Sequence, residues 1–227
     1  MKFGHSLLRS TIVATRGFFL IFLKRILKNP RLVPLFFIGT VVSWLAGCSH
    51  RDRDHKLLVS VPDQKMRIYE RGSLIAEYPV STSKFGLGDR NGSNATPLGK
   101  LQIRKKIGDG APLGAVFKSR RPTGEVLRPN TPGRDPIVTR ILWLDGMEAC
   151  NAHSFARTIY IHGTPEEWRI GTPASYGCIR MRSSDIVHLY DVVGLGAEID
   201  IVNQPFPVLE PSHNEMVTVS QIEPIGG

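Results

Sequence analysis

Thr158-Ile159-Tyr160-Ile161-His162-Gly163-Thr164, a loop, and then Ser175-Tyr176-Gly177-Cys178-Ile179-Arg180-Met181 make up the stretch that decides how this chain is read. Residues 158–161 are a β-branched and aromatic run, the composition of a short strand, and Gly163 lets the chain turn away just after it. His162 is therefore expected at a strand tip. The loop that follows carries Pro165, Gly171 and Pro173 and returns to a second short apolar run, in which Gly177 immediately precedes Cys178. A histidine and a cysteine at neighbouring strand ends suit nucleophilic chemistry, because a thiol is mostly protonated near neutral pH until a nearby imidazole takes its proton.

The chain has 227 residues and no fixed-period repeat, enough for one domain of ordinary size plus a targeting segment. Its formal charge of +9 suggests nucleic acid at first. The distribution of that charge argues otherwise. Residues 1–47 hold seven Lys or Arg and no Asp or Glu, and residues 48–227 hold 22 basic and 20 acidic residues, a net of +2. No basic stripe interleaved with aromatics remains, so no nucleic-acid partner is expected.

After Arg31 an almost uninterrupted apolar run, residues 32–46, ends in Leu45-Ala46-Gly47-Cys48. A positive region, an apolar core and small residues at a cut form a secretory signal, and the last four residues resemble the bacterial lipoprotein signal. That resemblance implies removal of residues 1–47 and lipid modification of Cys48. Acyl chains contribute about 0.8 kcal/mol per buried methylene, so two or three of them would hold the mature protein at a membrane. The alternative is an uncleaved anchor, although the run falls just short of the roughly 20 residues that span a bilayer. Either way the folded part faces the periplasm in the cell envelope. Ser49 lacks the aspartate that retains enterobacterial lipoproteins at the inner membrane, which favours the outer one.

Residues 48–56 are polar and read as a tether. Residues 57–61, 65–70 and 73–81 read as an antiparallel meander, separated by Pro62-Asp63-Gln64 and Arg71-Gly72. Alternation puts Met66, Ile68, Leu74, Ala76 and Tyr78 on its inner face. Residues 84–94, rich in Gly and Asn, are expected to form an irregular loop, after which Thr96-Pro97-Leu98-Gly99 leads into a strand at 101–103. Residues 108–136 show little periodicity and read either as a long lid or binding loop or as a plain surface excursion. Residues 139–144 form a strand. Ser183 or Ser184 is placed to cap a helix carrying Ile186, Val187, Leu189, Tyr190 and Val193 and closed by Gly194, and a final strand occupies 197–202. A domain over 57–203 and a flexible tail over 204–227 complete the expected layout.

The combination of Ile161-His162-Gly163-Thr164, Ser175-Tyr176-Gly177-Cys178-Ile179-Arg180, Thr96-Pro97-Leu98-Gly99 and the opening meander closely resembles the L,D-transpeptidase catalytic domain of the YkuD type. The resemblance covers residues 57–202. It implies a mostly β fold, a sandwich or barrel with one main helix after the cysteine, and cysteine acyl transfer on peptidoglycan stem peptides with no cofactor. Carried over position by position, Cys178 becomes the nucleophile and His162 the base, oriented by the backbone around Gly163. The amides of Gly177 and Cys178 become candidates for an oxyanion hole, where losing one donor typically costs about 2.7 to 4 kcal/mol. Arg180 is either a substrate ligand or a structural ion-pair partner. Ser175, Tyr176, Gly163, Thr96, Pro97 and Gly99 are expected around the substrate.

One departure stands out: Tyr176 occupies the position where the family usually has a second histidine, and a phenol is not cationic at neutral pH. The thiol is expected to be less acidic as a result. Hydrolysis of the same acyl-enzyme by water, and a wall-binding lipoprotein without catalysis, are the alternatives. Cys150 has no role implied by the resemblance and reads as a small buried residue. A disulfide between Cys150 and Cys178 would silence the nucleophile. His153 and His188 read as surface or core residues, and without a His-Glu-x-x-His or Cys-x-x-Cys pattern no metal site is expected.

Overall fold

The structure, a computed structural model, describes residues 51–207. The expected leader, Cys48, the first residues of the tether and the tail beyond 207 lie outside the described residues. The chain runs through β1 (His55–Ser60), β2 (Lys65–Glu70), β3 (Ser73–Pro79), β4 (Gly99–Ile107), β5 (Ala115–Lys118), β6 (Arg121–Val126) and β7 (Ile137–Gly146). It continues with β8 (Tyr160–Gly163), β9 (Ile179–Met181), helix α1 (Ser183–Val192) and β10 (Glu198–Val202). The described residues are thus mostly β with one α-helix, following the cysteine as expected. No helix among them is long and apolar enough to cross a membrane.

All ten strands join in one branched sheet of order β3-β2-β1-β10-β4-β7-β5-β6, with β8 on β7 and β9 on β8. The β1–β10 and β8–β9 pairs are parallel, and the other ladders are antiparallel. The main core gathers Leu57, Val59, Met66, Ile68, Leu101, Ile103, Leu142, Leu144, Ile161, Ile179 and Met181, closed by Ile186, Leu189 and Tyr190 of α1. A second cluster of Ala115, Phe117, Ile141, Trp143 and Tyr160 lies on the other side of β7 and β8. Successive strand residues point to opposite faces, so Ile141 and Trp143 leave the main core that Leu142 and Leu144 enter.

Several boundaries differ from those expected. The tether does not reach residue 56: β1 begins at His55, and the Asp52 carboxylate accepts from the Gly194 amide at 2.6 Å and the His55 amide at 3.1 Å. The tail does not begin at 204 either. Gln204 O accepts from Ser60 Oγ at 2.8 Å, and Arg67 lies 4.3 Å from the centre of the Phe206 ring. Leu74 is 38% exposed, because the register of β2 on β3 shifts between Ile68 and Tyr69 and breaks the alternation.

The expected structureless segment 108–136 contains the β5–β6 hairpin. Its turn places Ser119 and Arg120 at φ 50° and 66°, the left-handed pair that a two-residue hairpin requires. Helix α1 is capped from a distance. Neither expected serine caps it; Glu167 Oε1 accepts from the Ser183 amide at 2.8 Å. At the other end Lys106 Nζ donates to the carbonyls of Tyr190 and Val193 at 2.6 and 2.7 Å. A carboxylate at the N-terminus and an ammonium at the C-terminus both match the helix dipole.

Candidate active site

Strands β8 and β9 run parallel with Ile161 opposite Ile179, His162 opposite Arg180 and Gly163 opposite Met181. Ile161, Ile179 and Met181 enter the main core, so alternation turns Tyr160, His162, Cys178 and Arg180 to the other face. That face carries the second cluster, against which Cys178 packs. The sheet thereby brings the two residues singled out in the sequence to one face of two adjacent strands.

His162 is 5% exposed, and its Nδ1 lies 2.8 Å from the Gly163 carbonyl. A carbonyl only accepts, so Nδ1 carries the proton and Nε2 is left with its lone pair. Burial disfavours the imidazolium and lowers the His162 pKa to about 4, although the Gly163 carbonyl and the Asp135 charge both favour the cation. Gly163 itself is held closely: a Cβ there would sit 2.7 Å from Val138 O and 3.1 Å from Thr139 Cβ. Thr139 is fully buried at φ 72°, an uncommon conformation for a β-branched residue. Its Oγ1 accepts from the Gly114 amide at 3.0 Å and donates to Ser183 Oγ at 2.8 Å. A strained bulge in β7 thus packs against the residue that orients the imidazole.

Cys178 is half-buried, and its thiol donates to the Thr158 carbonyl at 3.6 Å. Burial pushes its pKa up to about 11, only partly opposed by the Tyr160 backbone and the charges of Arg180 and Arg157. The resting pair is a neutral thiol and a neutral imidazole. Burial is the main cause of the raised thiol pKa, and Tyr176, from which the sequence suggested a less acidic thiol, is not among the groups acting on it. The Tyr176 side chain is 60% exposed and turns to Lys84 and Phe85.

Arg180 serves the structure. It is 3% exposed; Nη1 lies 2.7 Å from Asp135 Oδ2 and 3.3 Å from Glu166 Oε2, and Nη2 donates to Ala174 O at 2.6 Å. Of its two expected roles, the ion pair is the one found. Asp135 also accepts from Thr164 Oγ1 at 2.5 Å, so one carboxylate ties the residue after Gly163 to β9.

The glycine and hydroxyl positions of the cysteine block form a frame. Ser175 Oγ donates to Cys178 O at 2.5 Å and accepts from the Gly177 amide at 3.2 Å. That amide is engaged, and Gly177 is not an open oxyanion donor. Its need for glycine has another origin: φ is 112°, and a Cβ would lie 3.1 Å from Ala95 O. Thr96, fully buried, accepts from the Ser83 amide at 3.0 Å and donates to Gly177 O at 3.1 Å. Pro97 is buried beside it, and a Cβ on Gly99 would lie 2.0 Å from Glu148 Oε2. Ser175 and Thr96 therefore brace the cysteine block from behind and Gly163 holds the imidazole, whereas Gly99 packs against Glu148 and Asn151. Among the residues expected around the substrate, only Tyr176 presents an exposed side chain.

A second buried ion pair, unforeseen in the sequence, holds the 84–94 loop. Asp89 Oδ1 lies 2.8 Å from Arg157 Nη1, both side chains almost fully buried, and Asp89 also accepts from the His153 amide and Ser154 Oγ. Arg157 reaches the carbonyls of Gly88 and Ala95 at 3.0 and 2.7 Å. It directly precedes Thr158, whose carbonyl faces the thiol and whose φ is 59°. His153 is exposed and lies 3.3 Å from Asp89, and His188 is exposed against Tyr78. Cys150 is exposed rather than buried, with a free thiol, as is that of Cys178. Among the described residues no group of His, Cys, Asp or Glu is arranged to hold a metal ion.

Residues 54–201 match the YkuD family, the L,D-transpeptidase catalytic domain. The chain is 25% identical over 170 residues to the probable L,D-transpeptidase YcfS of Escherichia coli strain K12, covering 73% of this chain and 49% of that protein. It is 23% identical over 189 residues to the probable L,D-transpeptidase YbiS of the same strain, covering 80% and 56%. The chain spans about half the length of these relatives. A solved L,D-transpeptidase from Xylanimonas cellulosilytica aligns with a TM-score of 0.44 and 16% identity over 72% of this chain and 69% of that one. With the family match extending from the start of β1 almost to the end of β10, this chain belongs to the YkuD family of L,D-transpeptidase catalytic domains.

Proposed function

We propose that the domain is a peptidoglycan L,D-transpeptidase with Cys178 as its nucleophile and His162 as its base. In this reading the Cys178 sulfur attacks the carbonyl of the L-centre third residue of a tetrapeptide stem while His162 Nε2 takes the thiol proton. The C–N bond to the terminal D-alanine breaks, and the proton passes to the departing amine. A thioester remains on Cys178. An amine of a neighbouring stem then attacks it, forming a new amide and returning the proton to sulfur. With both groups neutral at rest, the thiolate is generated as substrate arrives, and the imidazole acts as a general base rather than as half of a standing ion pair.

The observation that supports this reading best is the hydrogen bond from His162 Nδ1 to Gly163 O, 2.8 Å, which leaves Nε2 as an acceptor on the sheet face that also carries Cys178. The test is mass spectrometry of stem tetrapeptides incubated with wild type and Cys178→Ala. Cysteine-dependent dimeric muropeptide supports transpeptidation. Cysteine-dependent trimming without dimers identifies water as the acceptor, and no reaction at all would contradict both.

We also infer that Cys48 is lipid-modified and holds the domain at a membrane facing the periplasm, the outer membrane in a cell that has one. The basic leader, the apolar run and Leu45-Ala46-Gly47-Cys48 support this. Labelling with a palmitate analogue should mark the wild type and miss Cys48→Ala; equal labelling of the two would refute it.

A further inference from the structure

Arg180 is not free to meet a peptide carboxylate, because it is buried between Asp135 and Glu166. An exposed cation, Lys84, stands beside the cysteine block. Lys84 Nζ donates to Tyr176 Oη at 3.1 Å and lies 4.5 Å from the centre of the Tyr176 ring and 5.2 Å from that of Phe85. The two rings are tilted against each other with centres 5.2 Å apart, and they are 60% and 50% exposed. Among the described residues Lys84 forms no ion pair.

The position is built by the backbone. Lys84 N–H donates to Ser175 O at 3.2 Å, and Ser83 forms a parallel bridge with Ser175, so the start of the 84–94 loop is fastened to the segment leading to Cys178. A flexible lysine stem is held by a phenol oxygen and two ring faces, which restricts an otherwise costly set of rotamers before any ligand arrives. Tyr176 is two residues from Cys178, a span of at most about 7 Å along the backbone. A terminal carboxylate lies one residue beyond the scissile carbonyl, about 4 Å away.

We propose that Lys84, clamped by Tyr176 and Phe85, binds the free carboxylate of the residue that leaves when the acyl-enzyme forms. This rests on the acyl-transfer reading above and adds the group that selects an acidic C-terminus. Tyr176 then has a use that a histidine at that position would not fill in the same way: its oxygen accepts from the ammonium and its ring supports it. The carboxylate is present in ground and transition state alike, so its loss should appear in KM more than in kcat.

The test is steady-state kinetics on one donor tetrapeptide prepared as the free acid and as the C-terminal carboxamide. Wild type should prefer the acid by about fivefold in kcat/KM, the size of an exposed charge pair. In Lys84→Met that preference should fall close to one, Lys84→Arg should keep most of it, and Tyr176→Phe should lie between. Melting temperatures of all four proteins should agree within a few degrees, since the side chains concerned are exposed. A Lys84→Met protein that retains the preference, or a wild type without one, overturns the assignment of Lys84 and leaves the acyl-transfer reading standing. A wild type that turns over neither peptide overturns both.

Discussion

The Cys178 thiol points at the Thr158 carbonyl, 3.6 Å away, and Thr158 holds that carbonyl in place with a left-handed backbone, φ 59°. A carbonyl acceptor favours the protonated thiol. Together with burial it favours the neutral thiol. Iodoacetamide should therefore modify Cys178 slowly at pH 7, with a rate that climbs toward a midpoint near pH 11. A plateau already reached by pH 7, followed by peptide mass mapping that separates Cys178 from the exposed Cys150, would mean a standing thiolate and contradict the neutral pair.

The histidine gives the opposite limb. Its folded pKa of about 4 lies below the ordinary value of 6.5, so between those values the unfolded chain binds a proton that the folded chain refuses. Stability from this group is complete above about pH 6.5 and is lost progressively as the pH falls toward 4, by on the order of 3 kcal/mol. Denaturant melts of wild type and His162→Gln across this window should differ in slope, the variant being flatter. The acid limb of kcat/KM should fall near pH 4; a limb near 6.5 would show an imidazole open to solvent.

Asp89 and Arg157 form a clasp whose loss should reach the site through Thr158. Breaking a buried pair by removing one partner costs about 3 to 5 kcal/mol, because the other charge is left behind. Asp89→Ala should lower the melting temperature markedly and raise protease cleavage within residues 84–94. Unchanged melting and cleavage would show that the clasp holds nothing.

Arg180→Ala leaves Asp135 and Glu166 facing each other without their cation, with a similar expected cost in stability. The expected readout is a loss of folded protein, seen by thermal melting, with KM for the donor peptide little changed in whatever remains folded. A large rise in KM at unaltered melting temperature would return Arg180 to the substrate.

Most of the framework was legible because it rests on local patterns. His162 and Cys178 were found from a strand tip, a turn glycine and a glycine before cysteine, and the helix after Met181 from its spacing. What escaped was non-local or broke a local rule. The β5–β6 hairpin turns at Ser119 and Arg120 without the usual Asn or Gly, and β6 carries Pro122 and Gly124, tolerated because it lies at the sheet edge. Asp89, Asp135, Arg157 and Glu166 sit in loops, and the buried pairs Asp89–Arg157, Asp135–Arg180 and Glu166–Arg180 join residues 14 to 68 apart along the chain. No spacing rule links them. Thr96 stands out in the sequence as part of a motif, but only the fold shows that its hydroxyl supports the cysteine block through Gly177 O.

Cys150 is exposed with a free thiol and touches none of the groups around Cys178. Cys150→Ser should leave turnover and its response to reductant unchanged. Activity that becomes independent of reductant in this variant would reveal an inhibitory disulfide.

The central claim is that Cys178 carries the acyl group and His162 delivers the proton. Intact-protein mass spectrometry after mixing with a tetrapeptide donor, without acceptor, tests it most directly. The account predicts a mass increase equal to the donor less its terminal residue, mapped to Cys178, absent in Cys178→Ala and formed at least about a hundredfold more slowly in His162→Gln. An adduct that persists in Cys178→Ala, or one that forms at the wild-type rate without His162, would contradict it.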